Sequence, residues 1–196
     1  MPRPSVSTGR GDDGTTDLFR GGRTHKSALR IHALGTIDEL NAILGLALAE
    51  PDFPESLRSP MEQVQRALFL AGSDIATITP KSLAADIPLH PQGERLGEGS
   101  HRLSAMHIEE LEKWGIEMEQ ELPKLTRFIL PGGSKASALL HQARAVCRRA
   151  ERWVVGLANE EGVNPEVRVY LNRLSDDLFL AARMANKDRG SPDVLV

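Results

Sequence analysis

The chain is predicted to be all-α, a helical bundle of four or five helices forming one compact domain. Three observations carry this. Apolar residues recur at steps of three and four in five separate stretches. Proline and glycine mark the breaks between those stretches, at Pro51 and Pro54, at Pro131-Gly132-Gly133 and at Gly162 and Pro165. No convincing strand with alternating apolar and polar residues stands out. A length of 196 residues suits one domain.

In chain order, residues 1–27 are rich in Gly, Thr, Asp and Arg and show no apolar period. They read as loop, ordered only when something binds. From about Arg30 a first helix is marked by Ile31, Leu34, Ile37, Leu40, Leu44, Ala47 and Leu48, and Pro51 and Pro54 stop it. A second spans about 58–77 on Met61, Val64, Leu68, Leu70, Ala71 and Ile75. Residues 80–103 lack periodicity and read as a long loop or mobile insertion. Residues 104–122 form a third helix, with Ser104 as a candidate N-cap and Ile108, Leu111 and Met118 as its apolar face.

The last two helices give the clearest pattern. Pro131-Gly132-Gly133 is a turn, and Ser134 or Ser137 can cap the helix after it. A stripe from Ala136 through Leu140, Ala143, Cys147, Ala150 and Val154 to Leu157 then runs for about six turns. Gly162 and Pro165 break the chain, and Val167, Leu171, Leu174, Leu178, Ala181 and Ala185 trace the final helix.

Composition narrows the function classes. Hydrophobic residues make up 40% and charged residues 26%, with a net charge of -3. Nothing in that charge calls for nucleic acid or an anionic membrane. No run of eighteen apolar residues exists, so no membrane-spanning helix is expected, and no signal-peptide stretch opens the chain. The single cysteine, Cys147, forbids an intrachain disulfide and suits a reducing, cytoplasmic setting.

Chemistry concentrates in three places. Arg144, Arg148, Glu151 and Arg152 share one helical face. Such a face is either a solvated surface or a clamp for polyphosphate, whose oxygens match the guanidinium fork. On the last helix Asn172, Asp176, Phe179 and Arg183 line one side, as a salt-bridged surface or as groups meeting those arginines. Thr8-Gly9-Arg10-Gly11-Asp12-Asp13-Gly14-Thr15-Thr16 can cradle an anion with backbone N–H groups, although it is not a Walker A sequence. Cys147 reads as core, the six histidines show no close ligand spacing, and no nucleophile–base relay is evident. The pattern suits binding anions and positioning reactants.

Five blocks resemble one family. These are Gly11-Asp12-Asp13-Gly14-Thr15-Thr16, Gly35-Thr36-Ile37-Asp38-Glu39-Leu40-Asn41-Ala42, Phe128-Ile129-Leu130-Pro131-Gly132-Gly133, Arg144-Ala145-Val146-Cys147-Arg148-Arg149-Ala150-Glu151-Arg152 and Tyr170-Leu171-Asn172-Arg173-Leu174-Ser175-Asp176. In that order, across residues 8–186, they are similar to signatures of the PduO-type ATP:cob(I)alamin adenosyltransferases. The resemblance implies a ferritin-like five-helix bundle assembled as a homotrimer, with sites between subunits. It implies transfer of the 5′-deoxyadenosyl group of ATP to the cobalt of a reduced corrinoid, with Mg²⁺ accompanying ATP. Residues 1–29 then form the ATP-binding loop, 30–186 the bundle and 187–196 a C-terminal tail.

By match, Thr8, Gly11, Asp12, Gly14, Thr15, Thr16 and Lys26 wrap the triphosphate, and Arg144, Arg148, Glu151 and Asn172 complete the nucleotide site. Asp38 matches an aspartate that pairs with the equivalent of Arg144 across the subunit interface, Phe128 an aromatic that displaces the lower corrinoid ligand, and Asp176 a position close to the corrinoid. A corrinoid reductase and a cobalamin-dependent mutase are the implied protein partners. Departures from the family pattern stand at Gly9 and Arg10, at Asp17 where Gly is common, and at Leu34 where an aromatic is common. Two other readings compete: a carrier that binds adenosylcobalamin without making it, and an arginine-faced nucleic-acid binder.

Overall fold

The computed structural model describes residues 4, 7, 9–19, 22–78 and 102–196. Five helices account for most of them: α1 (Leu29–Leu48), α2 (Glu55–Ile75), α3 (Ala105–Glu121), α4 (Lys135–Glu160) and α5 (Pro165–Asp188). Helix α4 packs along both α1 and α5; α2 lies on α1 and α3 on α5. The stripes read from sequence form the seam. Ala33, Ile37, Leu40 and Leu44 of α1 meet Leu140, Ala143, Cys147 and Val154 of α4 and Leu171, Leu174 and Leu178 of α5 in one buried core.

Local chemistry sets the helix ends. Ser134 caps α4 by accepting from Ser137 N at 3.1 Å. Asn164 caps α5 by accepting from Glu166 N at 3.2 Å, with Pro165 at the first helical position. Ser104 stands at the N-cap of α3, where its backbone N–H donates to His107 Nδ1 at 3.2 Å. Helix α2 starts earlier than periodicity suggests: Pro54 is its N-cap rather than a stop, and Pro60 is carried inside it.

One expectation needs correction. Part of the segment read as loop is a hairpin: Thr15–Asp17 (β1) pairs antiparallel with Arg23–His25 (β2). Three-residue strands are too short to give a periodic signal. The region around this hairpin is held by its own hydrogen bonds. The C-terminal tail lies against the bundle. It returns to the bundle through the Arg183–Asp193 ion pair at 2.8 Å and an antiparallel bridge between Ile129 and Leu195. Helix α1 has the length and mean hydropathy of a membrane span, because only Asp38 and Glu39 are charged across 31–48. Here its apolar side lies in the bundle core.

Of the segment 80–103, residues 80–101 lie outside the described residues. Arg102 and Leu103 are anchored on α2. Buried Asp74 accepts from Arg102 Nε at 2.6 Å and from Leu103 N at 3.1 Å, and takes a third bond from Asn164 Nδ2 at 2.7 Å. These bonds, with Asn164 donating to Leu103 O at 2.9 Å, tie the entry to α3 to the start of α5.

Candidate active site

Antiparallel packing of α4 on α5 puts their polar faces side by side. A groove of about 1180 Å³ opens along α3, α4 and α5, walled by Arg144 and Arg148 from α4, Asp176 and Phe179 from α5, and Gly115 and Ile116 from α3. Just beyond it Asn172 Nδ2 donates to Glu151 Oε1 at 3.1 Å, so those two predicted residues meet across the same seam. Arg148 is exposed, whereas Arg144 is half-buried with a buried Nε that has no hydrogen-bond partner. A guanidinium in that state is disposed to receive an anion.

Phe179 lies between two cations. Arg144 Cζ is 5.9 Å from the ring centroid and Arg183 Cζ is 6.0 Å away. Arg183 is buried and spoken for: it pairs with Asp193 and donates to Pro123 O at 2.7 Å. Behind Phe179 the buried ring of His141 stands edge-on at 6.0 Å. Burial, then the nearby Arg144 charge, hold its pKa below the usual histidine value, so the ring is neutral at pH 7.

Asp177, which sequence reasoning missed, lines the groove beside Asp176 and is buried. Its Oδ2 has no partner, and burial, then the charges of Asp176 and Glu112, push its pKa up to about 7 against the opposing pull of Arg173. It fits only because its neighbour on α3 is glycine: a Cβ on Gly115 would lie 2.3 Å from Asp177 Oδ1.

Phe128 sits on the extended segment before the Pro131-Gly132-Gly133 turn. Phe128 is 88% exposed, so it is not packed into the described bundle. The C-terminal segment holds its backbone: Val196 N donates to Phe128 O, and Leu130 N to Val194 O, both at 2.9 Å. Asn186 braces the turn, accepting from Ser134 N at 2.9 Å and donating to Gly132 O at 3.0 Å, against Gly133 at φ +100°.

The predicted anion loop lies in and beside the β1–β2 hairpin. Thr8 falls outside the described residues. Gly14 adopts φ +82°, a region that favours glycine, and its carbonyl accepts from Lys26 N at 2.9 Å. Lys26 Nζ donates to Gly11 O at 2.7 Å. Thr15 donates to Asp13 through its N–H at 2.9 Å and its hydroxyl at 2.6 Å, while Thr16 is paired with Thr24 and Asp12 is exposed. The family departures Arg10 and Asp17 pair with each other at 3.4 Å.

Asp38 is not brought to Arg144 within the chain. It is exposed on α1 and lines a separate cleft with Asn41, Glu62, Gln65, Arg66 and Phe69. Sequence reading missed Arg23 as well as Asp177; the only trace of Arg23 was a Thr- and Asp-bearing strand pattern too short to recognise.

The model of the cobalamin adenosyltransferase family matches residues 6–185, nearly the whole chain. The chain belongs to the cobalamin adenosyltransferase family. Relatives in that family agree along its length. A cobalamin adenosyltransferase of Cupriavidus metallidurans is 42% identical over 97% of this chain and 92% of its own. The corrinoid adenosyltransferase of Bacillus subtilis is 42% identical over 95% of this chain and 89% of its own. Among solved structures, a variant PduO-type ATP:corrinoid adenosyltransferase from Lactobacillus reuteri, complexed with cobalamin and ATP, superposes with a TM-score of 0.80. It is 34% identical, and the match covers 98% of this chain and 99% of that one.

Proposed function

We infer that this adenosyltransferase-family chain transfers the 5′-deoxyadenosyl group of ATP to the cobalt of cob(I)alamin or a related reduced corrinoid. The observation that carries this is the groove where the partnerless Arg144 Nε and exposed Arg148 face Asp176 and Phe179. It offers cationic forks for a triphosphate beside an aromatic wall for a large planar ligand. The cobalt lone pair attacks C5′; the Co–C bond forms as the C5′–O bond breaks, and the electron pair leaves with triphosphate. The substrate is the nucleophile, so the protein contributes alignment and neutralisation of the leaving group.

Arg144, Arg148 and Lys26 take the triphosphate together with loop groups at Thr8, Gly11, Asp12, Gly14, Thr15 and Thr16; Glu151 and Asn172 hold the nucleoside side. Residues 1–29 serve as the nucleotide loop and 30–186 as the bundle. Mg²⁺ enters with ATP: among the described residues no group of three or more His, Cys, Asp or Glu side chains forms a cage of its own. Asp38, unpaired with Arg144 in its own chain, pairs with Arg144 of a neighbouring subunit in a homotrimer, which completes the site. Exposed Phe128 displaces the lower ligand of the corrinoid, and Asp176 lies against the ring. The enzyme works in the cytoplasm, taking reduced corrinoid from a reductase and passing its product to a mutase.

A pure carrier has no use for a phosphate loop, which favours the enzyme. Anaerobic incubation with cob(I)alamin and MgATP tests the reading. The cob(I) absorbance should decay only when both substrates and the protein are present; a spectrum stable over hours refutes it.

A further inference from the structure

Arg23 opens β2, and its guanidinium reaches across the hairpin to four separate points. Nη1 donates to Asp17 Oδ1, its register partner on β1, at 3.3 Å. Nη2 donates to the carbonyl of Arg10 at 2.5 Å, to Asp13 Oδ1 at 3.4 Å and to the Thr15 hydroxyl. Thr15 in turn donates twice to Asp13, closing a small network that encloses the turn at Gly14. One planar fork therefore ties together the approach to the turn, the turn itself and both strands. No monovalent point charge could do the same.

The surroundings also decide what Arg23 does not do. Its charge is matched by two carboxylates, Asp13 and Asp17, and its side chain is about two-thirds covered. The Thr15 hydroxyl and backbone N–H both donate to the Asp13 carboxylate, and these bonds hold the Asp13 carboxyl below the usual carboxylate range. By contrast Lys26 Nζ has one backbone acceptor among the described residues, Gly11 O, which leaves two of its three donors for an incoming anion.

We propose that Arg23 is a positioning residue of the nucleotide loop: it fixes the loop between Arg10 and Asp17 in a binding-ready shape without itself touching ATP. The inference rests on the reading that this loop holds the triphosphate. By restricting the loop to one shape, Arg23 lowers the ordering entropy that the binding step must overcome. Arg23 makes no contact with the helices in this network, so losing it leaves the bundle intact.

The test uses the full chain in its native assembly. Arg23→Ala should weaken MgATP binding roughly tenfold or more by calorimetry, as supporting contacts typically do. The KM for ATP should rise by a similar factor, with kcat at saturating ATP and the KM for cob(I)alamin nearly unchanged. In ligand-free protein, amide exchange across 10–17 should speed up. The paired change Asp13→Asn with Asp17→Asn separates the two roles of an arginine. If Arg23 acts through the loop, removing its anchors weakens ATP binding too. If Arg23 touches phosphate directly, removing two competing carboxylates tightens ATP binding, and the proposal is overturned. Unchanged affinity in Arg23→Ala also overturns it. Removing residues 1–16 serves as the control: if that truncation leaves MgATP affinity intact, the loop reading beneath the proposal fails, whereas lost affinity there with a normal Arg23→Ala condemns the Arg23 role alone.

Discussion

Asp177 should make this bundle lose stability as pH rises from about 4 to about 7, and Asp177→Asn should remove that loss. The carboxyl is buried against Gly115 with Oδ2 unpartnered, and its pKa is raised from 3.8 to about 7. Below 3.8 both folded and unfolded chains carry the proton, so the group is neutral to stability. Between there and about pH 7 the unfolded chain ionises while the folded one does not, and folding loses free energy at each step. A shift of about three units at ~1.36 kcal/mol each gives at most ~4 kcal/mol per subunit by pH 8. Asparagine keeps the shape and cannot ionise. Urea unfolding at fixed protein concentration, from about pH 4 to about pH 8, reads the difference between parent and variant. Taking the difference across pH cancels any constant cost of the amide. The variant should gain on the parent up to about pH 7 and then hold level, by a few kcal/mol in all. Parallel curves would refute the argument, and would mean that solvent or Arg173 satisfies the carboxylate.

The same geometry carries other expectations. Gly115→Ala has no room beside Asp177 and should cost about 1–3 kcal/mol, a penalty that Asp177→Ala should largely relieve in a double-mutant cycle of unfolding free energies. Arg144→Ala should lower turnover far more than it lowers the melting temperature, and Arg148→Lys should also hurt because a point charge cannot replace the fork; a folded, fully active Arg144→Ala enzyme would contradict the site. Phe128→Ala, whose ring is exposed, should leave stability within about 0.5 kcal/mol of the parent. It should slow adenosylation strongly from Co(II)alamin but much less from preformed cob(I) or from cobinamide, which lacks the lower base. Equal losses with all three corrinoids and a lowered melting temperature would identify it as packing.

Much of this architecture was legible because helices announce themselves locally. The α4 stripe from Ala136 to Leu157 and the α5 stripe from Val167 to Ala185 each span several turns, and their buried faces are the ones the spacing marks. Ser104 and Ser134 stand where capping chemistry puts them. The α4–α5 groove was legible too, since two polar faces on consecutive antiparallel helices have to meet. What escaped is non-local or short. The β1–β2 hairpin has three residues a side, and nothing in Arg23 alone tells of four acceptors spread over residues 10–17. Asp177 reads as one more surface acid until Gly115, sixty-two positions earlier, is seen beside it. The return of residues 193–196 onto 128–130 depends on Arg183 capturing Asp193, a pairing with no periodic signature.

The central claim is that this chain joins the adenosyl group of ATP to cobalt, using the arginine-lined groove between α4 and α5. The most direct measurement is the product balance of an anaerobic reaction of cob(I)alamin with MgATP, separated by chromatography. The account predicts one light-sensitive adenosylcobalamin and one triphosphate for each ATP consumed, with both falling together in Arg148→Lys. Release of ADP and phosphate, or corrinoid recovered without a Co–C bond while ATP stays whole, would contradict it.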